Sequence, residues 1–251
     1  MNGPQALEAN VTASMTHYLL AMYCLRRENQ PLIGARLAEW LGVAPASVTG
    51  MLQRMSRDGL VRMGRGKEIG LTQRGWQIAM ATARRHYLAE RLLTDLIGLE
   101  WSQAHVEAER WQHSITDATE EKLWEALGRP TTCPHGSPIP GTGACFSPHT
   151  RRLAASEPGE EVVIESISER AAENIELLRF FEEHELMPGR RLQVQEYSPA
   201  AGTLTLRTDR SQVTIGADAA TQVLVVPAHL SRERRAPLHL RREAAEAVRS
   251  G

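Results

Sequence analysis

The apolar residues of this chain keep a helical period through its first half and lose it in its last third, and that switch limits the fold most. Thr16–Leu25 (THYLLAMYCL), Ile33–Leu41 and Ser47–Leu60 carry apolar positions at helical spacing, as does a long run from Gly75 through IAMATARRHYLAERLLTDLIGL. A further helix is predicted from about Ser102 to Leu127. From Glu161 to Val226 the pattern becomes EVVIESI, RLQVQEY, GTLTLRT, SQVTIG and TQVLVV, which are short, β-branched or alternating strands. One helix, at about Ala172–Leu186, separates the first two strands. So many strands in so few residues suggest a small SH3-like barrel. The expected fold class is therefore mainly α, an α+β multidomain chain. Its parts are residues 1–76, a helical module at 77–150, the barrel at 160–228 and a tail at 229–251. Pro130 to Pro158, rich in Pro, Gly, Ser and Thr, reads as connecting loop rather than packed structure.

The first part reads as a winged helix. LGVAPAS forms a short turn between the second and third helices, and Ser47 can accept from the free N–H groups that open the third. Two short helices joined in this way are the helix-turn-helix unit, whose second helix enters the major groove of double-stranded DNA. VRMGRGKEIGLTQRG follows, giving strands at Val61–Met63 and Ile69–Leu71 around a basic Gly-rich tip, then LTxxG. The DNA-facing candidates are Ser47, Thr49, Gln53, Arg54 and Arg57 on the recognition helix, with Arg65 and Lys67 on the wing. Wing cations meet phosphates, which fix position without reading sequence.

A winged helix can also bind protein or serve as scaffold, and the charge pattern separates these readings. The net charge of the chain is only -1, but it is unevenly spread. Arg26 to Arg91 is strongly basic, whereas Asp95 to Glu125 is acidic, with only Arg110 and Lys122 opposing. One segment is suited to a polyanion and the next to something else. The opening MNGPQALEAN has no basic flank and apolar run, so no export leader is expected. No apolar stretch is long enough to span a bilayer. Three scattered cysteines, Cys24, Cys133 and Cys145, fit a reducing cytoplasm better than a disulfide framework.

The helical module carries the chemistry. His86 and Glu90 stand four residues apart, about 40° around a helix. His105, Glu109, Gln112 and His113 occupy a stripe roughly 100° wide if their helix continues through them. Imidazole nitrogen and carboxylate oxygen converging from two helices suit manganese, iron, zinc or cobalt. A single His-x3-Glu pair is more often an ordinary surface pair; two successive stripes after a winged helix shift the balance toward a metal.

HYLAERLLTDLIGLEWSQAHVEAERWQH, with TTCPHGSPIPG at Thr131 to Gly141, resembles the diphtheria toxin repressor family of iron- and manganese-dependent repressors, closest to its manganese-responsive branch. The likeness extends to about Pro227. It implies a homodimer whose winged helices meet a palindromic operator when metal is bound, and a barrel of the FeoA type. It also implies two ligand sets. A primary site would use His17, Glu109, Gln112 and His113. A second would use His86, Glu90 and His105, joined by Cys133 and His135 and completed by Glu173 or Glu176. The chain departs from the family at three positions. Glu109 stands where the iron-responsive branch has Cys, Gln112 replaces a carboxylate, and His17 replaces Asp or Met. Loss of the soft thiolate favours Mn2+ first and Fe2+ second, with Zn2+ or Co2+ able to bind in vitro. No enzyme, membrane partner or organic cofactor is expected. The rival readings are a metal-independent winged-helix regulator and a di-metal enzyme, which would need carboxylates from four helices.

Overall fold

The computed structural model of this chain describes residues 8, 10–64 and 67–231. They form two units, Met1–Leu88 with Glu109–Ala126, and Ala89–Ala108 with Leu127–Gly251.

In the first unit, α1 (Ala13–Arg27) is started by Thr12, whose hydroxyl accepts from the Met15 N–H at 3.2 Å. Next come α2 (Gly34–Leu41) and α3 (Pro45–Arg57), the latter opened by Pro45, whose fixed φ suits a first helical position. Val48, Leu52 and Met55 turn inward from α3 at helical spacing and are buried. Strands β1 (Val61–Met63) and β2 (Ile69–Leu71) pair antiparallel, with Met63 opposite Ile69. The LTxxG sequence then receives a physical explanation. Thr72 donates its hydroxyl hydrogen to the Gly59 carbonyl at 2.7 Å and accepts from the Gly75 N–H at 3.0 Å. A Cβ at position 75 would sit 2.0 Å from the Leu60 carbonyl oxygen, so only glycine lets α4 (Gln73–Arg91) start against the wing.

The expected continuous helix from Ser102 to Leu127 is corrected. It is two helices, α5 (Trp101–Trp111) and α6 (Asp117–Ala126). Thr116 and Thr119 cap α6 reciprocally: the Thr119 hydroxyl accepts from the Thr116 N–H at 2.9 Å, and the Thr116 hydroxyl from the Thr119 N–H at 3.3 Å. This local start competes with a helix passing straight through. Gln112 and His113 therefore lie beyond the end of α5, and the stripe that would join them to His105 does not exist. Arg85 of α4, almost fully buried, ties α6 down through Asp117 at 2.8 Å and Glu120 at 3.3 Å, and also reaches Glu8 at 2.7 Å. Burial alone would lower its pKa, but these carboxylates outweigh that and raise it.

In the second unit a single π-helical turn, Leu92–Ile97, follows α4. The sheet has six strands in the order β3-β8-β4-β5-β6-β7, all antiparallel. They are β3 (Arg151–Arg152), β4 (Glu161–Ile167), β5 (Arg191–Ser198), β6 (Thr203–Arg207), β7 (Gln212–Gly216) and β8 (Val223–Pro227). All the expected strands are present, with β3 added. Short helices α7 (Glu169–Ala172) and α8 (Ile175–Glu183) lie between β4 and β5, and α9 (Ala217–Thr221) between β7 and β8. Ile164, Ile167, Leu178, Phe181, Val194, Leu206 and Val225 form one buried core with Trp101 of α5.

The Pro/Gly-rich stretch is also corrected. It contains β3 and a short 3-10 turn at Leu153–Ala155, and every residue from 133 to 140 is buried. Its backbone is tied to β4: the Ile167 N–H donates to the His135 carbonyl at 2.8 Å, and the Ser166 hydroxyl to the same oxygen at 3.0 Å. Composition signals the loop but not its burial, because prolines pack well once their carbonyls find donors.

Candidate metal centre and nucleic-acid interface

Within the second unit, five side chains capable of binding a metal converge below the surface. Glu90, in the last turn of α4, is fully buried and lies 2.9 Å from His105 Nδ1 and 3.2 Å from His135 Nδ1. Glu90, His105 and Glu169 offer ligand atoms within 4.8 Å of one another, and so do Glu90, Cys133 and His135. Cys133 Sγ is 3.9 Å from Glu169 Oε1. His86 precedes Glu90 by one turn of the same helix and is buried.

Two features hold this array. The Cys133 turn closes on itself through Cys133 N–H to Ser137 O at 2.9 Å and Gly136 N–H to Cys133 O at 3.0 Å. Arg91, next to Glu90, donates to the Thr132 carbonyl at 2.8 Å and the Cys133 carbonyl at 3.0 Å, and pairs with Asp95 at 3.2 Å. The helix that supplies Glu90 thus also positions the loop that supplies Cys133 and His135. Burial pushes the Cys133 thiol well above its ordinary range, and Glu90 and Glu169 add to the shift.

The residues fit a divalent cation. His135 Nδ1, 3.2 Å from Glu90, is buried and makes no hydrogen bond among the described residues, a cost that a cation in the array would relieve. Buried carboxylates beside imidazoles need a compensating charge, and N, O and S donors together match transition metals.

The sequence reasoning missed Glu169. It sits in the first turn of α7 behind the cap Ser168, where an acidic residue reads as ordinary helix-dipole compensation. The expected Glu173 and Glu176 are exposed, at the end of α7 and in the first turn of α8. Arg91 was also missed, since nothing in its spacing shows that it reaches a loop more than forty residues away.

A second, more open grouping lies in the first unit. His17 of α1 faces Glu109 of α5 at 3.9 Å, and both side chains are about two-fifths exposed. Gln112 is buried, with its Oε1 making no hydrogen bond among the described residues, whereas His113 is exposed. Among the described residues, His113 joins no cluster of ligand atoms.

On the nucleic-acid side, Ser47, Thr49, Gln53, Arg54 and Arg57 are all exposed on α3, opposite its buried Val48–Leu52–Met55 face. The Thr49 hydroxyl donates to the Pro45 carbonyl at 3.0 Å, so it is already engaged with its own helix. Lys67 is exposed next to β2; Arg65 and residues 232–251 of the Arg-rich tail lie outside the described residues. Among the described residues, no helix is long and apolar enough to cross a membrane.

Comparison with known proteins agrees along the chain. The iron dependent repressor N-terminal DNA binding domain matches residues 10–67 and the iron dependent repressor metal binding and dimerisation domain matches 72–141. The FeoA domain matches 151–227, which identifies the six-stranded sheet as the SH3-like module. The iron-dependent repressor IdeR of Mycobacterium leprae is 34% identical over 218 residues, covering 83% of this chain and 94% of that protein. The diphtheria toxin repressor of Corynebacterium jeikeium is 42% identical over 124 residues, 49% of this chain and 52% of that one. A solved manganese-dependent transcriptional repressor in complex with manganese superimposes with a TM-score of 0.75 at 29% identity, over 86% of this chain and all of that one. With a winged helix, a cluster of metal ligands and a FeoA module in this order, the chain belongs to the diphtheria toxin repressor family of metal-dependent transcriptional repressors.

Proposed function

We propose that this repressor binds a palindromic operator as a homodimer and that Mn2+, with Fe2+ second, is its activating ion. The observation that carries this reading is the His17–Glu109 approach at 3.9 Å. His17 belongs to the helix that opens the winged-helix region, and Glu109 ends the helix that carries His105. Side chains that share one cation tie those helices together, so DNA affinity and metal affinity become linked. A coupling of about 1–3 kcal/mol corresponds to a change of roughly 5–150-fold in either affinity.

His17, Glu109, Gln112 and His113 would form the activating set, and Glu90, His105, Cys133 and His135 with His86 and Glu169 the second. The cation supplies positive charge between donors that otherwise repel or lack partners. His17 orients α1, and hard oxygen donors come from Glu109 in the last turn of α5 and from Gln112 just beyond it. The absence of thiolate from this first set favours manganese over softer ions. Arg54 and Arg57 meet phosphates or base edges from α3.

The test is a DNA-shift titration with Mn2+, Fe2+, Co2+ and Zn2+ beside isothermal titration of each metal. Operator affinity should rise at least 5-fold with Mn2+ and fall back with chelator. Activation by Zn2+ alone would reverse the metal order, and affinity indifferent to chelator would favour a metal-independent regulator.

A further inference from the structure

We infer that Gly50 sets how deeply α3 enters the major groove, and so decides whether this repressor reads sequence or only holds the duplex by its phosphates. The inference rests on the reading of α3 as the helix that meets DNA. It goes further by assigning the depth of entry to one position.

Gly34, Gly50 and Gly75 are the helical glycines among the described residues, and two of them have a reason inside the fold. Gly34 is the first residue of α2, outside the helix interior, and a Cβ at position 75 would strike Leu60. Gly50 has no such reason. It stands in the middle of α3, is exposed, and a Cβ built on it meets nothing within 4 Å. Its φ lies outside the left-handed region, so the backbone does not call for glycine either. Glycine there weakens the helix relative to alanine, because its unfolded backbone has more freedom to lose. The fold thus carries a destabilising residue that nothing described within it requires.

Its direction on the helix supplies the reason. At about 100° per residue, the buried Val48, Leu52 and Met55 centre on one line, and Gly50 lies within about 15° of the opposite line. Ala46, also exposed, lies within about 30° of that opposite line. Gln53 and Arg54, both exposed, stand about 50° to either side of it. The side of α3 that points straight away from the core therefore has least side chain at its centre and polar reach on both flanks. The groove is about 12 Å wide and a helix with its side chains about 10–12 Å across, so bulk on the outermost line decides how far the helix sinks. Bare backbone at Gly50 brings Gln53 and Arg54 level with base edges, where glutamine suits adenine and arginine suits guanine. The Thr49 hydroxyl is bound to the Pro45 carbonyl, which leaves the reading to these two flanks. Gly50 is a positioning residue: it acts through its neighbours.

The probe is the duplex that the unaltered full chain selects from a random-sequence pool, with Mn2+ and again in chelator, beside a shuffled duplex of equal length. Alanine and leucine are better helix formers than glycine, so Gly50→Ala and Gly50→Leu should melt about 1–4 °C above the parent. Affinity for the selected duplex should nonetheless fall. In Gly50→Leu the loss should be about 10-fold or more, which corresponds to one base contact forfeited; in Gly50→Ala it should be smaller. Affinity for the shuffled duplex and its salt dependence should be kept, since phosphate attraction does not need the depth. Ser56→Leu adds the same bulk at an exposed position away from the outermost line, and should leave the ratio of the two affinities as it is. Higher melting with undiminished affinity for the selected duplex overturns the inference, and so does an equal loss on both duplexes. Lower melting overturns it as well, by giving the glycine a role inside the fold. If the unaltered chain enriches no sequence under either condition, operator reading falls and the inference with it. Selection that survives and ignores position 50 sinks the inference alone.

Discussion

The two ligand groupings are built in opposite ways. Glu90, His105, Cys133, His135 and Glu169 are buried and held by the fold itself, with Arg91 bracing the Cys133 loop from beside Glu90. His17 and Glu109 face each other at the surface, 3.9 Å apart and two-fifths exposed, with His113 beyond the helix end. A buried array is preorganised and its charges depend on one another; an exposed one costs little to leave open and is free to respond to metal concentration. The contrast teaches which grouping can act as structure and which as sensor, and it can be broken by measurement.

The largest expected effect is on stability. In metal-free protein, Glu90→Ala should cost about 3 kcal/mol, because it leaves two buried imbalances where one carboxylate faced two imidazoles. Glu109→Ala should cost under about 1 kcal/mol, as for exposed ion pairs generally. Urea denaturation of both variants, monitored by tryptophan fluorescence, gives the difference directly. Equal losses would mean that the buried grouping carries no more structural weight than the open one.

Next in size is Gly136→Ala. At φ 92 an added Cβ would stand 2.3 Å from the Glu165 carbonyl oxygen and 2.9 Å from Ser166 Cα. Positive φ alone costs about 1–2 kcal/mol, and the collision forces the CPHG loop off β4, so about 2 kcal/mol or more is expected. Gly143→Ala shares the positive φ (76) but meets nothing within 4 Å, and should cost only about 1 kcal/mol. If displacement of the loop is local, cobalt binding beside Cys133 falls in Gly136→Ala while the metal-stimulated DNA binding proposed for the His17–Glu109 set persists. Loss of both together would erase the distinction between the regions.

Much of this was legible in the sequence, and what was not follows one pattern. Period alone located α1 to α4 and the strands β4 to β8, and helical spacing put His86 and Glu90 on one turn. Those are local properties of the chain. The break at Gln112–Thr116 was hidden because the capping partners are two threonines and not the Ser/Thr-x-x-Glu/Gln pair that marks a start. Burial of Cys133 and His135 depends on hydrogen bonds from Ile167 and Ser166, about thirty residues further on, and Glu169 enters the cluster through the same strand. Residue type announced the donors; only tertiary pairing decided which of them meet.

The smallest expected effect concerns the support beneath the buried grouping. Glu182 of α8 accepts from the Trp101 N–H at 3.3 Å, at the start of the helix that carries His105, and the Trp101 ring lies edge-on to His135 at 4.9 Å. Burial raises the Glu182 carboxyl above its ordinary range; Glu100 also raises it, while the Trp101 N–H, His135 and Arg179 oppose. A raised carboxyl binds more protons in the folded state than in the unfolded one, so stability falls as pH rises through the carboxylate range. Glu182→Gln keeps an acceptor for Trp101 and removes the charge. The variant should therefore melt slightly above the parent at pH 7, and the gap should close as the pH drops below about 4.3, the unperturbed glutamate value. Thermal melts of both proteins across this range, in chelator, decide the point. A variant that melts lower at pH 7 would show that the negative charge at the start of α5 stabilises more than its burial costs, and the preorganisation of the buried grouping would then depend on electrostatics at that helix end as well as on packing.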